Sequence, residues 1–180
     1  MVIGAPLKEI VIMFDYYYLI LIFPSAMVLA ATLDLFTMTI PNRISLVLLG
    51  SFLIFAPLTG MAWDQFFGHL SIGALALFIG VALFAFGFLG GGDAKLLAAA
   101  SLWIGHNDFI TYLFVVAQFG ALLAVMIFLY RLILPPKFLL NVAWAMRLHN
   151  KKEGIPYGIA LASGALMTFP TTSWFLSVAA

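Results

Sequence analysis

The sequence predicts an all-α polytopic membrane protein, a bundle of about six transmembrane helices forming one domain over residues 1–180. Three observations lead there. Sixty-five per cent of the 180 residues are hydrophobic and 8% are charged, with a mean hydropathy of +1.17, whereas a soluble domain needs roughly a quarter of its residues charged to cover its surface. The few charges divide the chain into apolar runs of bilayer length. The positive residues fall on one side of those runs.

Residues 16–33, 44–63, 65–92, 96–107, 109–130 and 154–180 carry no formal charge. A span needs about 20 mostly apolar residues, within a usable range of roughly 17–25. Five of the runs reach that length, and the expected spans are 16–33, 44–63, 67–89, 94–107, 109–130 and 157–177. The first is as long as the later ones and Lys8 before it is offset by Glu9, so a cleaved signal peptide is not expected. Pro41 and Asn42 read as a start for the second helix, and Pro156 for the sixth.

The fourth run is too short, and charge asymmetry decides whether it crosses. With the N-terminus outside and six crossings, Arg43, Lys95, Arg131, Lys137, Arg147, Lys151 and Lys152 all lie inside, leaving only Lys8 outside. If Leu96–Asn107 turned back, Arg131 and the basic cluster behind it would face outward against the rule. From Asp93 to His106 is 13 residues, about 20 Å of helix against a hydrocarbon core of about 30 Å. Gly90, Gly91 and Gly92 precede Asp93, and unwound backbone at membrane depth is tolerated beside a watery or protein-filled cavity. Asp93 is therefore expected just inside the inner boundary of the bilayer.

Asp34 and Asp93 both fall at inner ends of expected spans. Two carboxyl groups brought close cannot both ionise readily, so one keeps a proton while the other acts as a base. Hydrolysis of a peptide bond by water needs that pair: a base for the water proton and an acid for the carbonyl and the departing amine. The competing readings are a helix cap or interfacial anchor for each Asp, and a small ion- or proton-coupled transporter using the same acids. Against transport, no expected span is charged near its middle, and no inverted repeat is evident. A non-enzymatic pilus-assembly subunit is a third alternative.

Gly90-Gly91-Gly92-Asp93-Ala94-Lys95 matches the GxGD motif in the extended form GGGDxK. Together with Asp34, Ile40-Pro41-Asn42-Arg43 and Ile155-Pro156-Tyr157-Gly158, it resembles the type IV prepilin peptidases, and most nearly the short peptidases of Flp/Tad-type pilus systems. The resemblance implies an aspartic endopeptidase of the inner membrane that cuts the basic leader from a prepilin, after a glycine, at the cytoplasmic face. It implies Asp34 and Asp93 as the catalytic pair, with no metal and no cofactor. Larger members that also methylate the new N-terminus resemble two-domain proteins with paired cysteines in an N-terminal insert. This chain has no cysteine, so peptidase activity without N-methyltransferase activity is expected.

The supporting residues are Gly90, Gly91, Gly92, Lys95, Asn42 and Tyr157. Lys95 either tunes Asp93 or anchors the helix end. The glycines either let a substrate strand approach the backbone or permit a tight turn. Asn42 and Tyr157 either start helices or border the site. His69, His106 and His149 lack ligand spacing, so a metal is not expected. The absence of cysteine also excludes disulfides and a thiol nucleophile. A net charge of +1 makes no case for nucleic acid. In the loop 135–154, Phe138, Val142, Ala145 and Leu148 recur at helical spacing among Lys137, Arg147, Lys151 and Lys152. That pattern predicts a short basic amphipathic helix held on the lipid bilayer.

Overall fold

The computed structural model describes the backbone of residues 7–179 and the side chains of residues 21–178. The expectations for residues 1–6 and for the side chain of Lys8 lie outside that range. Among the described residues the chain forms helices and turns only. In order they are α1 (Leu7–Thr37), α2 (Asn42–Leu58), α3 (Trp63–Ala85), α4 (Gly91–Ile104), α5 (Phe109–Tyr130), α6 (Ala143–His149), α7 (Gly158–Thr168) and α8 (Ser173–Ala179). Two 3₁₀ turns, Lys137–Leu139 and Phe169–Thr171, lie before α6 and after α7.

The two short helices α4 and α7 are the interior. In α4, Ala94, Leu96, Leu97 and every residue from Ala99 to Ile104 are buried. In α7 the buried positions are mostly small: Gly158, Ala160, Ala162, Gly164 and Ala165 beside Leu161 and Thr168. Around them pack α3 and α2 against α4, and α5 and α1 against α7, while α4 and α7 touch each other. Small residues permit close approach. A Cβ added at Gly80 of α3 would lie 3.0 Å from the Ala94 Cα, and one at Gly164 would lie 2.5 Å from Val116 Cγ2. Among lipid tails apolar burial drives little, so association rests on such contacts and on hydrogen bonds between helices. The buried Trp103 indole N–H donates to the Leu48 carbonyl at 2.9 Å, tying α4 to α2. A ring cluster of Phe23, Phe52, Trp103, Phe169 and Trp174 fills the C-terminal end of α4.

The outer helices turn large apolar side chains outward. Val28, Leu46, Phe78 and Phe114 are each more than half exposed, an apolar surface that a soluble monomer rarely presents. Helices α3 and α5 are long and apolar enough to cross a membrane; Leu21–Thr37, Asn42–Leu58 and Gly158–Thr171 are shorter apolar helices.

Several boundaries differ from the sequence expectation. Helix α1 runs on through Asp34 to Thr37, so that residue lies in the last helical turn and not after it. The expected helix over 157–177 is two helices, because Pro170 sits where the chain tightens into a 3₁₀ turn and Thr172 is extended. The third and fourth helices end early, at Ala85 and Ile104, because Gly87 and Gly105 adopt positive φ (76° and 80°) and stop them. The loop 135–154 holds only a 3₁₀ turn and the seven-residue α6, with an apolar stripe that is divided. Ala145 and Leu148 are buried in the protein while Phe138 stays exposed, so part of the face expected on lipid is spent on α1 and α5.

Candidate active site

The site is built from three chain segments that arrive at one end of α4 and α7. The first is the close of α1. There the Thr37 hydroxyl donates to the Leu33 carbonyl at 2.7 Å, Met38 takes a left-handed φ of 55°, and Pro41 starts α2 in extended geometry. This tight connection drives Ile40, 9% exposed, into the protein. The second segment is Gly90–Asp93, and the third is Tyr157–Gly158 at the start of α7.

Ile40 is the wedge between the other two. A Cβ at Gly92 would lie 3.1 Å from Ile40 Cβ, and one at Gly158 would lie 2.7 Å from Ile40 Cδ1. A side chain at either position would press on Ile40, which would have to shift. Gly90 is extended at φ −72° and ψ 150°, and the positive φ of this region is at Gly87. The glycine triplet therefore makes no left-handed turn; its last member, Gly92, lets Ile40 approach the first turn of α4.

Asp34 is 5% exposed. Its Oδ2 accepts the Gly158 backbone N–H at 2.7 Å, from the opening of α7. An amide at a helix N-terminus is left without an intrahelical partner and favours an anion, so the bond satisfies both groups. Asp93 stands in the first turn of α4, where its Oδ2 accepts the Gly90 N–H at 3.2 Å. The helix-cap reading thus accounts for one of its oxygens. The other, Oδ1, is buried with no hydrogen-bond partner among the described residues. A cap alone does not need that burial.

Ile40 packs on Gly92, the residue before Asp93, and on Gly158, whose amide holds Asp34, which brings the two carboxyl groups into one neighbourhood within electrostatic reach of each other. Tyr157 stands within electrostatic reach of Asp93, and its phenol lies against Gly120 of α5, where a Cβ would come within 2.6 Å of its oxygen. Two carboxyl groups held close in a poorly solvated place hold one proton between them more readily than none. Such a pair can give and take a proton within one reaction cycle.

Asn42 and Lys95 meet each other instead. The Lys95 ammonium donates to Asn42 Oδ1 at 2.8 Å, joining the starts of α2 and α4. No hydrogen bond or ion pair joins Lys95 to Asp93 among the described residues. His69 lies at the far end of α4, with Nδ1 2.8 Å from the Leu102 carbonyl. There it lines a polar cavity of about 380 Å³ with His106, Asp64 and Asn107. Among the described residues no three His, Asp or Glu side chains gather as a metal site would require.

Some residues of the site were not singled out from the sequence. Ile40 and Gly158 stood only inside quoted motifs. Arg131 and Arg147, read there as topology markers, are clamps. Arg131 donates to the carbonyls of Leu148 (2.8 Å), Glu153 (3.0 Å) and Gly154 (3.1 Å). Arg147 donates to the Phe36 carbonyl at 3.0 Å, two residues beyond Asp34. No spacing rule connects an arginine to carbonyls that distant in the chain.

An all-helical, strongly apolar fold that brings a carboxyl group at the end of α1 towards another at the start of α4 has the equipment for acid–base hydrolysis next to a membrane. A model of the type IV leader peptidase family matches residues 21–125. The chain belongs to the type IV leader peptidase family, and by that membership it is a membrane-embedded protease of the aspartic type whose family substrate is a prepilin. The matched stretch contains Asp34, Asn42, Gly90–Asp93 and Lys95 and ends before Tyr157 and Gly158. Comparison with curated proteins and with solved structures gave no match.

Proposed function

We propose that this protein removes the basic leader of Flp-like prepilins at the cytoplasmic face of the inner membrane, with Asp34 and Asp93 as its catalytic pair. The observation that carries this reading is the convergence of the two carboxyl groups on one buried spot, Asp34 held by the Gly158 amide and Asp93 with Oδ1 unpartnered. In the reaction the ionised carboxylate takes a proton from water, and the water oxygen bonds to the scissile carbonyl carbon. The protonated carboxyl hydrogen-bonds the carbonyl oxygen as it gains negative charge. The C–N bond then breaks and the amine leaves with a proton, giving a leader ending in a carboxylate and a mature chain with a free amine.

The positive residues on one side of the expected spans support a six-span arrangement with the N-terminus outside and both aspartates inside. The absence of cysteine supports a peptidase without N-methyltransferase activity. Membranes containing the protein or its Asp34→Asn or Asp93→Asn form, supplied with a Flp-type prepilin, test the assignment. Loss of cleavage in both variants is expected; cleavage at the native rate in either one removes that residue from the catalytic pair.

A further inference from the structure

A cavity of about 490 Å³ lies not at the aspartates but in a groove between α2, α3 and α4. Its polar lining is gathered at one end: Asn42 and Ser45 at the start of α2 and Lys95 at the start of α4. Beyond them the walls are Leu46, Leu49, Leu70, Leu77 and Leu102. Lys95 and Leu102 are seven residues apart on α4, about 10 Å along a helix. A groove that is apolar over that length accommodates an extended hydrocarbon chain.

Its polar end favours an anion. The Lys95 ammonium spends one donor on the neutral Asn42 Oδ1 and has no acidic partner among the described residues. It also stands near the N-terminus of α4, where a cation is unfavourable to the helix, so its charge calls for compensation from elsewhere. Helix α2 begins beside it with no side-chain cap, adding the positive end of a second helix. Arg43, exposed on the same turn, adds another cation.

We propose that this groove binds an anionic phospholipid, with the phosphate at Lys95 and Asn42 and one acyl chain along the apolar walls. The assignment rests on the membrane-embedded reading above and, for the supply of anionic lipid, on the cytoplasmic placement of this end. A basic leader is repelled by Lys95 and Arg43, so the polar end suits a phosphate better than the part of the substrate that is cut away.

The test is lipid binding to the purified protein in neutral detergent, read by native mass spectrometry. Phosphatidylglycerol is compared with phosphatidylethanolamine of identical chains. Phosphatidylglycerol is expected to bind about fivefold more tightly, the increment of one basic residue at a membrane surface. Lys95→Gln, at an exposed position, is expected to abolish that preference. Ala74→Phe, at an exposed position on the groove lining, is expected to weaken both lipids. Should the Ala74 variant fail to fold, Lys95→Gln decides alone. Equal binding of the two lipids overturns the proposal, as does a preference that survives Lys95→Gln. Glycerol phosphate binding as tightly as the whole lipid overturns it too, by showing a headgroup site with no use for the groove. Tighter binding of an apolar prepilin peptide with no lipid retained assigns the groove to substrate. Cleavage is not measured, so a failure here leaves the catalytic assignment of Asp34 and Asp93 untouched.

Discussion

The backbone N–H of Gly158 donates to Asp34 Oδ2 at 2.7 Å, across 124 positions of sequence, and locks the end of α1 to the beginning of α7. Gly158→Ala tests whether that lock matters. An added Cβ would lie 2.7 Å from Ile40 Cδ1 and 2.8 Å from the same Asp34 oxygen, so the carboxyl group must shift. Displacements of about 1 Å in a catalytic group cost about 100-fold in rate. Prepilin cleavage is expected to fall by about that factor; an alanine variant with native kinetics shows that the position of Asp34 is not critical.

Asp93→Asn separates helix capping from catalysis. Asparagine at this N3 position of the capping box retains an acceptor for the Gly90 N–H. Thermal stability is expected to stay within about 1 kcal/mol of wild type, the net worth of one such hydrogen bond, while leader cleavage disappears. Asp93→Ala is expected to lose both the cap and the activity. A melting experiment alongside the cleavage assay reads the two effects separately.

The paired carboxyl groups predict a bell-shaped dependence of cleavage on pH. On the acid side both become protonated and no base remains for the water. On the alkaline side both ionise and the carbonyl has no acid partner. Cleavage rates in membranes buffered across the range should therefore fall on both limbs, the two apparent pKa values belonging to the pair and not to either residue. A rate that rises to a plateau on the alkaline side contradicts a shared-proton mechanism.

Arg131 is predicted to support the site from a distance. Its guanidinium gathers the carbonyls of Leu148, Glu153 and Gly154, and Gly154 leads within four residues to Gly158. Arg131→Gln should release this connection, seen as faster proteolytic nicking between residues 149 and 155. Leader cleavage is expected to drop by about tenfold, on the order of one charge-assisted hydrogen bond. Unchanged nicking and unchanged cleavage together limit Arg131 to a topological role.

The sequence by itself determined the all-helical class, because so few charges and such long apolar runs leave the backbone no partner but its own carbonyls. It also marked Asp34 and Asp93, since a carboxyl group at the edge of an apolar run is costly enough to be noticed. Lys95 and Asn42 were singled out from the sequence, but not as partners of each other, because a hydrogen bond across 53 positions leaves no local pattern. The tertiary structure alone decided that Ile40 lies between Gly92 and Gly158, that Gly92 serves packing and none of the three glycines makes a left-handed turn, and that the last apolar run is two helices. It also turned half of the basic loop's apolar stripe inward. The physical reason is common to all of these. Helix class follows from hydrogen bonds four residues apart, whereas the site depends on contacts between helices, where a side chain's neighbours come from any part of the chain.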